Sequence, residues 1–77
     1  NAKFLSHFKA AVISIEAAQN IAVVKTLISN ANPVAATVDS LNYDEILGSV
    51  AGDDTLLIVT HNNNEAQNVV AKLNALL

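Results

Sequence analysis

The chain has 77 residues, of which 52% are hydrophobic and 14% charged, and it contains no cysteine. A domain of this length buries only roughly 60% of its unfolded surface, so its stability alone is marginal. Without disulfides, we expect oligomerisation to supply the missing stability. The net charge of −3, with four dispersed lysines and no arginine, excludes a basic surface for nucleic acid within these residues.

The ends and the hydropathy of the chain give two further expectations. No apolar run approaches the roughly 20 residues needed to cross a bilayer, and the N-terminus lacks the three regions of a secretory signal. We therefore expect a cytoplasmic protein with no membrane partner. Residues 1–2 are set aside as a candidate tag remnant, and the domain is expected to occupy residues 3–77.

Two runs rich in β-branched residues, 8–15 and 21–27, open the chain and predict a β-hairpin. Apolar side chains fall on both faces of these predicted strands, and a sheet of that kind is normally covered on both sides. We expect helices on one face and a neighbouring subunit on the other.

A helix is predicted next, because Asn32 is a good N-cap and Pro33 fits the first helical position. Its apolar face repeats at i, i+4 and i+7, and Asn42 is the expected stop. The residues of that face are Val34, Val38 and Leu41.

Strands at residues 46–50 and 55–60 follow, joined by a tight turn at residues 51–54 whose Gly and Asp residues are expected to take positive φ. Asn62, Asn63 and Asn64 offer a cap for the last helix, with Glu65 in its first turn. The chain is thus predicted to be α+β, a two-layer β-β-α-β-β-α sandwich. Its four-stranded antiparallel sheet is expected to carry two helices on one face.

Asp53 and Asp54 are the strongest candidates for a binding site. Two adjacent carboxylates beside a glycine suit a cationic ligand, and a carboxylate matches the donor fork of a guanidinium group bidentately. His7 and His61 lack metal-ligand spacing, so no metal is expected. No nucleophile–base arrangement is visible either, which argues against an enzyme.

The segment from Asp44 to Leu56 reads Asp-Glu-Ile-Leu-Gly-Ser-Val-Ala-Gly-Asp-Asp-Thr-Leu, and Asp39-Ser40-Leu41 precedes it. This pattern closely resembles the signature of the C-terminal domain of bacterial arginine repressors. The likeness extends over nearly all of the chain from Phe8 onward. It is much more specific than Gly-Asp-Asp-Thr alone, since the tetrapeptide lies between two predicted strands.

The resemblance implies a regulatory domain rather than a complete repressor. Members pair it with an N-terminal winged helix-turn-helix, which is absent from these residues and would make the DNA contacts. Their C-terminal domains form trimers, and two trimers stack into a hexamer. L-arginine binds between the trimers as co-repressor and strengthens operator binding; no other cofactor is implied.

The resemblance also implies which residues hold the ligand. One of Asp53 and Asp54 is expected to meet the guanidinium group of L-arginine and the other its ammonium group, in the same or in a different subunit. Asp39, Asn32 and the backbone around Ser49 and Ala51 are expected to complete the pocket.

Two departures from the family pattern leave an alternative open. Ile28-Ser29 stands where members usually have Pro-Gly, and Asn32 stands where they have a Gln that contacts the ligand. The alternative is an oligomerisation-only domain of a repressor paralogue, with weakened or lost arginine binding, that assembles with paralogous subunits. A third reading, a small enzyme or an amino-acid-binding domain of another family, has no acid–base pair to support it.

Overall fold

A computed structural model describes residues 2–77 of the chain. Asn1, set aside above with Ala2 as a candidate tag remnant, lies outside the described residues. None of the helices in residues 2–77 is long and apolar enough to cross a membrane. The elements in chain order are α1 (Ala2–Ala11), β1 (Val12–Ala18), β2 (Ile21–Thr26), α2 (Ala31–Leu41), β3 (Ile46–Ala51), β4 (Thr55–Thr60) and α3 (Asn63–Asn74).

The strands form one antiparallel sheet in the order β1-β2-β4-β3. The predicted α+β class and four-stranded antiparallel sheet are therefore confirmed, and the predicted ββαββα order follows one further helix, α1. The two hairpins meet at β2 and β4, where Val24 lies opposite Leu56 and Ala22 opposite Ile58. This central pairing leaves β1 and β3 as the two edges of the sheet.

Helix α1 is an element that the sequence did not predict. The first strand begins at Val12, so the expectation of a strand from Phe8 is wrong for its first four residues. Leu5, Phe8 and Ala11 recur at helical spacing, and α1 packs mainly against α2. Phe8 is completely buried there, and its burial outweighs the aromatic residue's preference for strands.

The hydrophobic core lies between the sheet and the helices. Strand residues Val24, Leu56 and Ile58 are fully buried, and they share one cluster with the apolar faces of α2 and α3. Fully burying one such aliphatic side chain stabilises a fold by roughly 1.5–3 kcal/mol. The helical members of the cluster are Phe8, Ala11, Val34, Val38, Val69 and Leu73.

The opposite side of the sheet, called here the open face, carries the alternate residues of each strand. Val23 lies opposite Leu57, and Leu57 lies opposite Val50, so an apolar row crosses three strands. Val50 is 67% exposed and Leu57 40% exposed. In residues 2–77 no helix covers this face, because the residues buried beneath α2 and α3 all belong to the other one.

The helix ends agree with the sequence in two places and differ in one. Asn42 ends α2 in the left-handed conformation, and the Asn62 side chain caps α3 by accepting from the Glu65 N–H. The prediction that Asn32 caps α2 is wrong. Helix α2 begins one residue earlier than Asn32, and Asn30 takes the cap position with its side-chain amide turned to the Ile28 carbonyl.

Candidate functional site

The turn between β3 and β4 carries the paired aspartates and is fastened by main-chain hydrogen bonds. The Gly52 N–H donates to the Thr55 carbonyl at 2.7 Å and closes the hairpin. The Thr26 N–H donates to the Asp54 carbonyl at 2.8 Å, and the Ala31 N–H donates to the Asp53 carbonyl at 3.2 Å. The turn is thus tied to the end of β2 and to the start of α2.

The expected positive φ in this turn is wrong. None of Gly52, Asp53 and Asp54 has a left-handed backbone, whereas Gln19, Ser29 and Asn42 do. The bonds from Thr26 and Ala31 to the turn carbonyls hold it in an ordinary conformation. The left-handed residue in this region is Ser29, on the adjoining β2–α2 connection.

Asp53 is held by Ser29. The Ser29 N–H donates to Asp53 Oδ2 at 3.2 Å, and the Ser29 hydroxyl donates to Oδ1 at 3.3 Å. A carboxylate has about four lone-pair positions, so these two bonds orient the group and leave room for further donors. The carboxylate remains exposed to solvent.

Asp54 is held from the other side, by Thr55 and Lys25. The Thr55 hydroxyl donates to Asp54 Oδ1 at 2.9 Å, and the Lys25 ammonium lies 3.7 Å from the same oxygen. The Thr55 hydrogen bond and then the Lys25 charge lower the pKa of the Asp54 carboxyl from its usual 3.8. Asp54 is therefore an anion at neutral pH.

Three more predicted site residues lie near the turn. Ser49 and Ala51 are on the edge strand β3, on its helix-covered side, opposite Ile58 and Leu56. The outer edge of β3 has no strand partner within residues 2–77, so its main-chain groups are available to a ligand. Asn32 lies exposed in the first turn of α2.

Asp39 lies apart from the turn. It follows Ala31 by eight residues along α2, which at roughly 1.5 Å per residue places it about 12 Å further along the helix axis. There it lines a cavity of about 170 Å³ at the opposite end of β3. The other lining residues are Val38, Asn42, Tyr43, Ile46, Leu47 and Gly48.

This arrangement suits recognition of a cation. The two carboxylates project from a fixed turn, and each is contacted by different intrachain donors. Within residues 2–77 no group of three or more His, Cys, Asp or Glu side chains is placed to hold a metal ion. The chemistry available is charge-assisted hydrogen bonding to ammonium or guanidinium groups.

The sequence did not predict the roles of Lys25 and Thr55. They become neighbours of Asp54 because Lys25 lies opposite Thr55 in the β2–β4 pairing. That pairing joins strands from different hairpins, so no local signal reveals it. Ser29 did stand out in the sequence, as a departure from the family pattern.

A family model described as the arginine repressor C-terminal domain matches residues 8–75 of the chain. An arginine repressor of Clostridium novyi is 44% identical over 75 residues, which are 97% of this chain and 50% of that protein. Another, of Acetivibrio thermocellus, is 45% identical over 74 residues, or 96% of this chain and 48% of the relative.

A third arginine repressor, of Caldicellulosiruptor saccharolyticus, is 37% identical over 75 residues, 97% of this chain and 49% of its own length. The chain thus spans about half the length of the curated relatives it matches. These relatives are named as repressors and not as enzymes. The match to the family model runs from the last turn of α1 to the end of α3 and includes both hairpins and the aspartate turn. On this ground the chain belongs to the arginine repressor C-terminal domain family.

Proposed function

We propose that this chain is the effector-binding and assembly domain of an arginine-responsive transcriptional repressor. In the whole protein, a DNA-binding segment outside these residues contacts the operators of arginine-metabolism genes in the bacterial cytoplasm. L-arginine binds this domain and stabilises the assembled form. The observation that carries the proposal is the pair of adjacent carboxylates at residues 53–54, each oriented by intrachain hydrogen bonds, in a family named for arginine.

The charges of the turn match those of the ligand. Free L-arginine has a guanidinium group at one end and an ammonium group at the other. Asp53 and Asp54 are exposed or half-exposed and have lone pairs beyond those that Ser29 and Thr55 use. Each carboxylate is thus able to accept from one cationic end of a ligand.

The separation between Asp39 and the turn favours a site shared between chains. About 12 Å along α2 is more than the length of one arginine side chain, so Asp39 does not converge with the turn within one subunit. We propose that Asp39 belongs to one wall of the site. The Asp53–Asp54 turn of another subunit, with Asn32 and the β3 backbone near Ser49 and Ala51 beside it, forms the opposing wall.

The open face supports the assembly half of the proposal. A continuous apolar row on one side of a sheet is unusual for a small monomer and marks an interaction surface. We propose that copies of this chain pack through the open face into trimers. Two trimers then meet across the arginine sites as a hexamer.

Isothermal titration of L-arginine tests the ligand. We expect binding by the unaltered domain and at least a tenfold weaker affinity in Asp53→Asn and Asp54→Asn, since a charge-assisted hydrogen bond contributes roughly 1.5–3 kcal/mol. Asp44→Asn is the matched control, because Asp44 is an exposed carboxylate away from the turn. Equal affinity in all four proteins would place the ligand elsewhere.

One observation favours a second function, assembly without sensing. Both aspartates already have intrachain partners. Ser29, which contacts Asp53, stands where the family pattern has Gly. In this alternative the domain joins copies of itself or of a paralogous repressor, and its aspartates only fasten the turn. If titration of L-arginine into the unaltered domain gives no heat of binding while the domain still self-associates, assembly without sensing is supported.

A further inference from the structure

Lys25, Thr55 and Asp54 form a closed polar triangle at the end of the sheet. The Lys25 ammonium donates to the Thr55 hydroxyl oxygen at 2.7 Å, and that hydroxyl donates to Asp54 Oδ1 at 2.9 Å. The third side is the 3.7 Å contact between the ammonium and Asp54. A hydroxyl can accept one hydrogen bond and donate another, so both bonds are satisfied together.

In this triangle, the Lys25 ammonium lies beside the Asp54 carboxylate, which we propose binds a cationic group of the ligand. The side chains of Lys25 and Asp54 are 47% and 48% exposed. Both groups are accessible to a competing cation from solvent. The Lys25 ammonium therefore occupies the kind of position that a cationic group of a ligand would take.

Lys25 also belongs to the open face. It projects from β2 on the same side as Val23 and lines a shallow groove on β1 and β2 together with Ser14 and Glu16. Glu16, which lines the same groove, offers a carboxylate to an ammonium released from Asp54. One side chain thus connects the aspartate turn with the surface that we propose for subunit packing.

We infer that Lys25 is an internal competitor for Asp54, so that a cationic ligand binds there by displacing the lysine ammonium onto the open face. This inference rests on the proposed arginine site and adds a residue that sets its affinity. Removal of the lysine charge leaves Asp54 to the ligand alone. From the Coulomb energy of a solvated pair about 4 Å apart, the gain in affinity is about fivefold.

Three variants test the inference by isothermal titration with L-arginine. Lys25→Gln removes the competing charge, Lys25→Arg keeps it, and Lys9→Gln makes the same change of net charge on the exposed surface of α1. We expect about fivefold tighter binding in Lys25→Gln only. NMR titration of the Asp54 carboxyl gives a readout without ligand, and its pKa should rise in Lys25→Gln but not in the other two.

The outcomes separate the two claims. If the unaltered domain binds arginine and Lys25→Gln binds it equally or more weakly, the competition is refuted while the arginine site stands. If Asp54 titrates at the same pH in all proteins, Lys25 does not occupy it, and the inference fails whether or not arginine binds. If no variant binds arginine, the proposed function fails and the competition with it. Binding gained only in Lys25→Gln would support the inference.

Discussion

Ser29 combines a left-handed backbone, with φ of 66°, and two hydrogen bonds to Asp53. For a residue with a Cβ this conformation costs roughly 1–2 kcal/mol, which a glycine at the same place avoids. The serine hydroxyl returns part of that cost through its bond to the carboxylate. Ser29 thus replaces backbone freedom with a side-chain contact that orients Asp53.

Two substitutions at Ser29 separate these effects. Ser29→Ala keeps the strained backbone and loses the hydroxyl bond, so its free energy of unfolding should fall by about 1 kcal/mol. Ser29→Gly loses the same bond but relieves the backbone strain. The larger conformational freedom of its unfolded chain costs roughly 0.5–1 kcal/mol. These effects nearly cancel, so the free energy of unfolding of Ser29→Gly should stay close to that of the unaltered protein. Urea unfolding at one protein concentration measures both, and an equal loss in the two variants would show that the backbone strain has no energetic weight.

Among the secondary-structure elements, α3 shows the clearest local control by sequence. The Asn62 side chain accepts from the Glu65 N–H at 2.9 Å, while the Glu65 carboxylate accepts from the His61 N–H at 3.0 Å. The Asn62 bond satisfies one of the main-chain donors that a helix leaves free at its start, and the Glu65 bond ties the residue before the cap to the first turn.

Asn62→Ala removes this cap. We expect a loss of about 1 kcal/mol in the free energy of unfolding, with the fold retained. Asn63→Ala is the control, because Asn63 is an exposed residue of the same first turn and alanine is the better helix former. Thermal unfolding followed by circular dichroism compares the two, and an equal effect of both would contradict the assigned cap.

Lys72 ties α3 to the loop that precedes β3. Its ammonium donates to Glu45 Oε2 at 2.8 Å and lies 4.8 Å from the centre of the Tyr43 ring. The hydrogen bond from Lys72 lowers the pKa of Glu45 from its usual 4.5 and, through the same contact, raises the pKa of Lys72 above 10.5. The ion pair is therefore complete at neutral pH.

A carboxyl group whose pKa is lowered by folding stabilises the folded state fully at pH values above its unfolded-state pKa. This stabilisation is lost as the pH falls through the lowered pKa of the folded state. Lys72→Gln should therefore be less stable than the unaltered protein near neutral pH, and the difference should shrink as pH falls below about 4.5. Urea midpoints across a pH series measure it. For Lys9→Gln, the stability difference from the unaltered protein should change little with pH. If the difference for Lys72→Gln is equally independent of pH, the ion pair between Lys72 and Glu45 is refuted.

The sequence predicted those elements whose signals are local. Caps at Asn42 and Asn62 and an unbroken apolar strand at residues 55–60 were enough to define α2, β4 and α3. Helix α1 was not predicted, because its aromatic and alanine residues run directly into the β-branched residues that follow Ala11, without a turn signal between them. The aspartates were found as a motif, whereas Lys25 and Thr55 required the pairing of β2 with β4.

At the scale of the whole molecule, the open face is the surface through which we propose that copies of this domain associate. Leu57 lies near the middle of the apolar row, paired with Val23 on one side and Val50 on the other. A lysine at this point would bring a charge into any subunit contact there, and burying an unpaired charge is strongly unfavourable.

Leu57→Lys should leave the secondary structure intact and abolish self-association. Leu77→Lys is the control, because Leu77 is a comparably exposed apolar residue at the C-terminus, 49% against 40%, and lies outside the sheet. Light scattering at matched concentrations measures the mass of each variant. An oligomer that persists in Leu57→Lys would move the subunit contact to another surface.

Linkage joins the ligand to the assembly, since any ligand that binds between subunits must favour the assembled form. Sedimentation velocity of the unaltered domain and of Asp53→Asn, each with and without L-arginine, tests this account most directly. We expect arginine to shift the unaltered domain toward the larger species and to leave the distribution of Asp53→Asn unchanged. A monomer under every condition, or an arginine-dependent shift that is as large in Asp53→Asn, would contradict it.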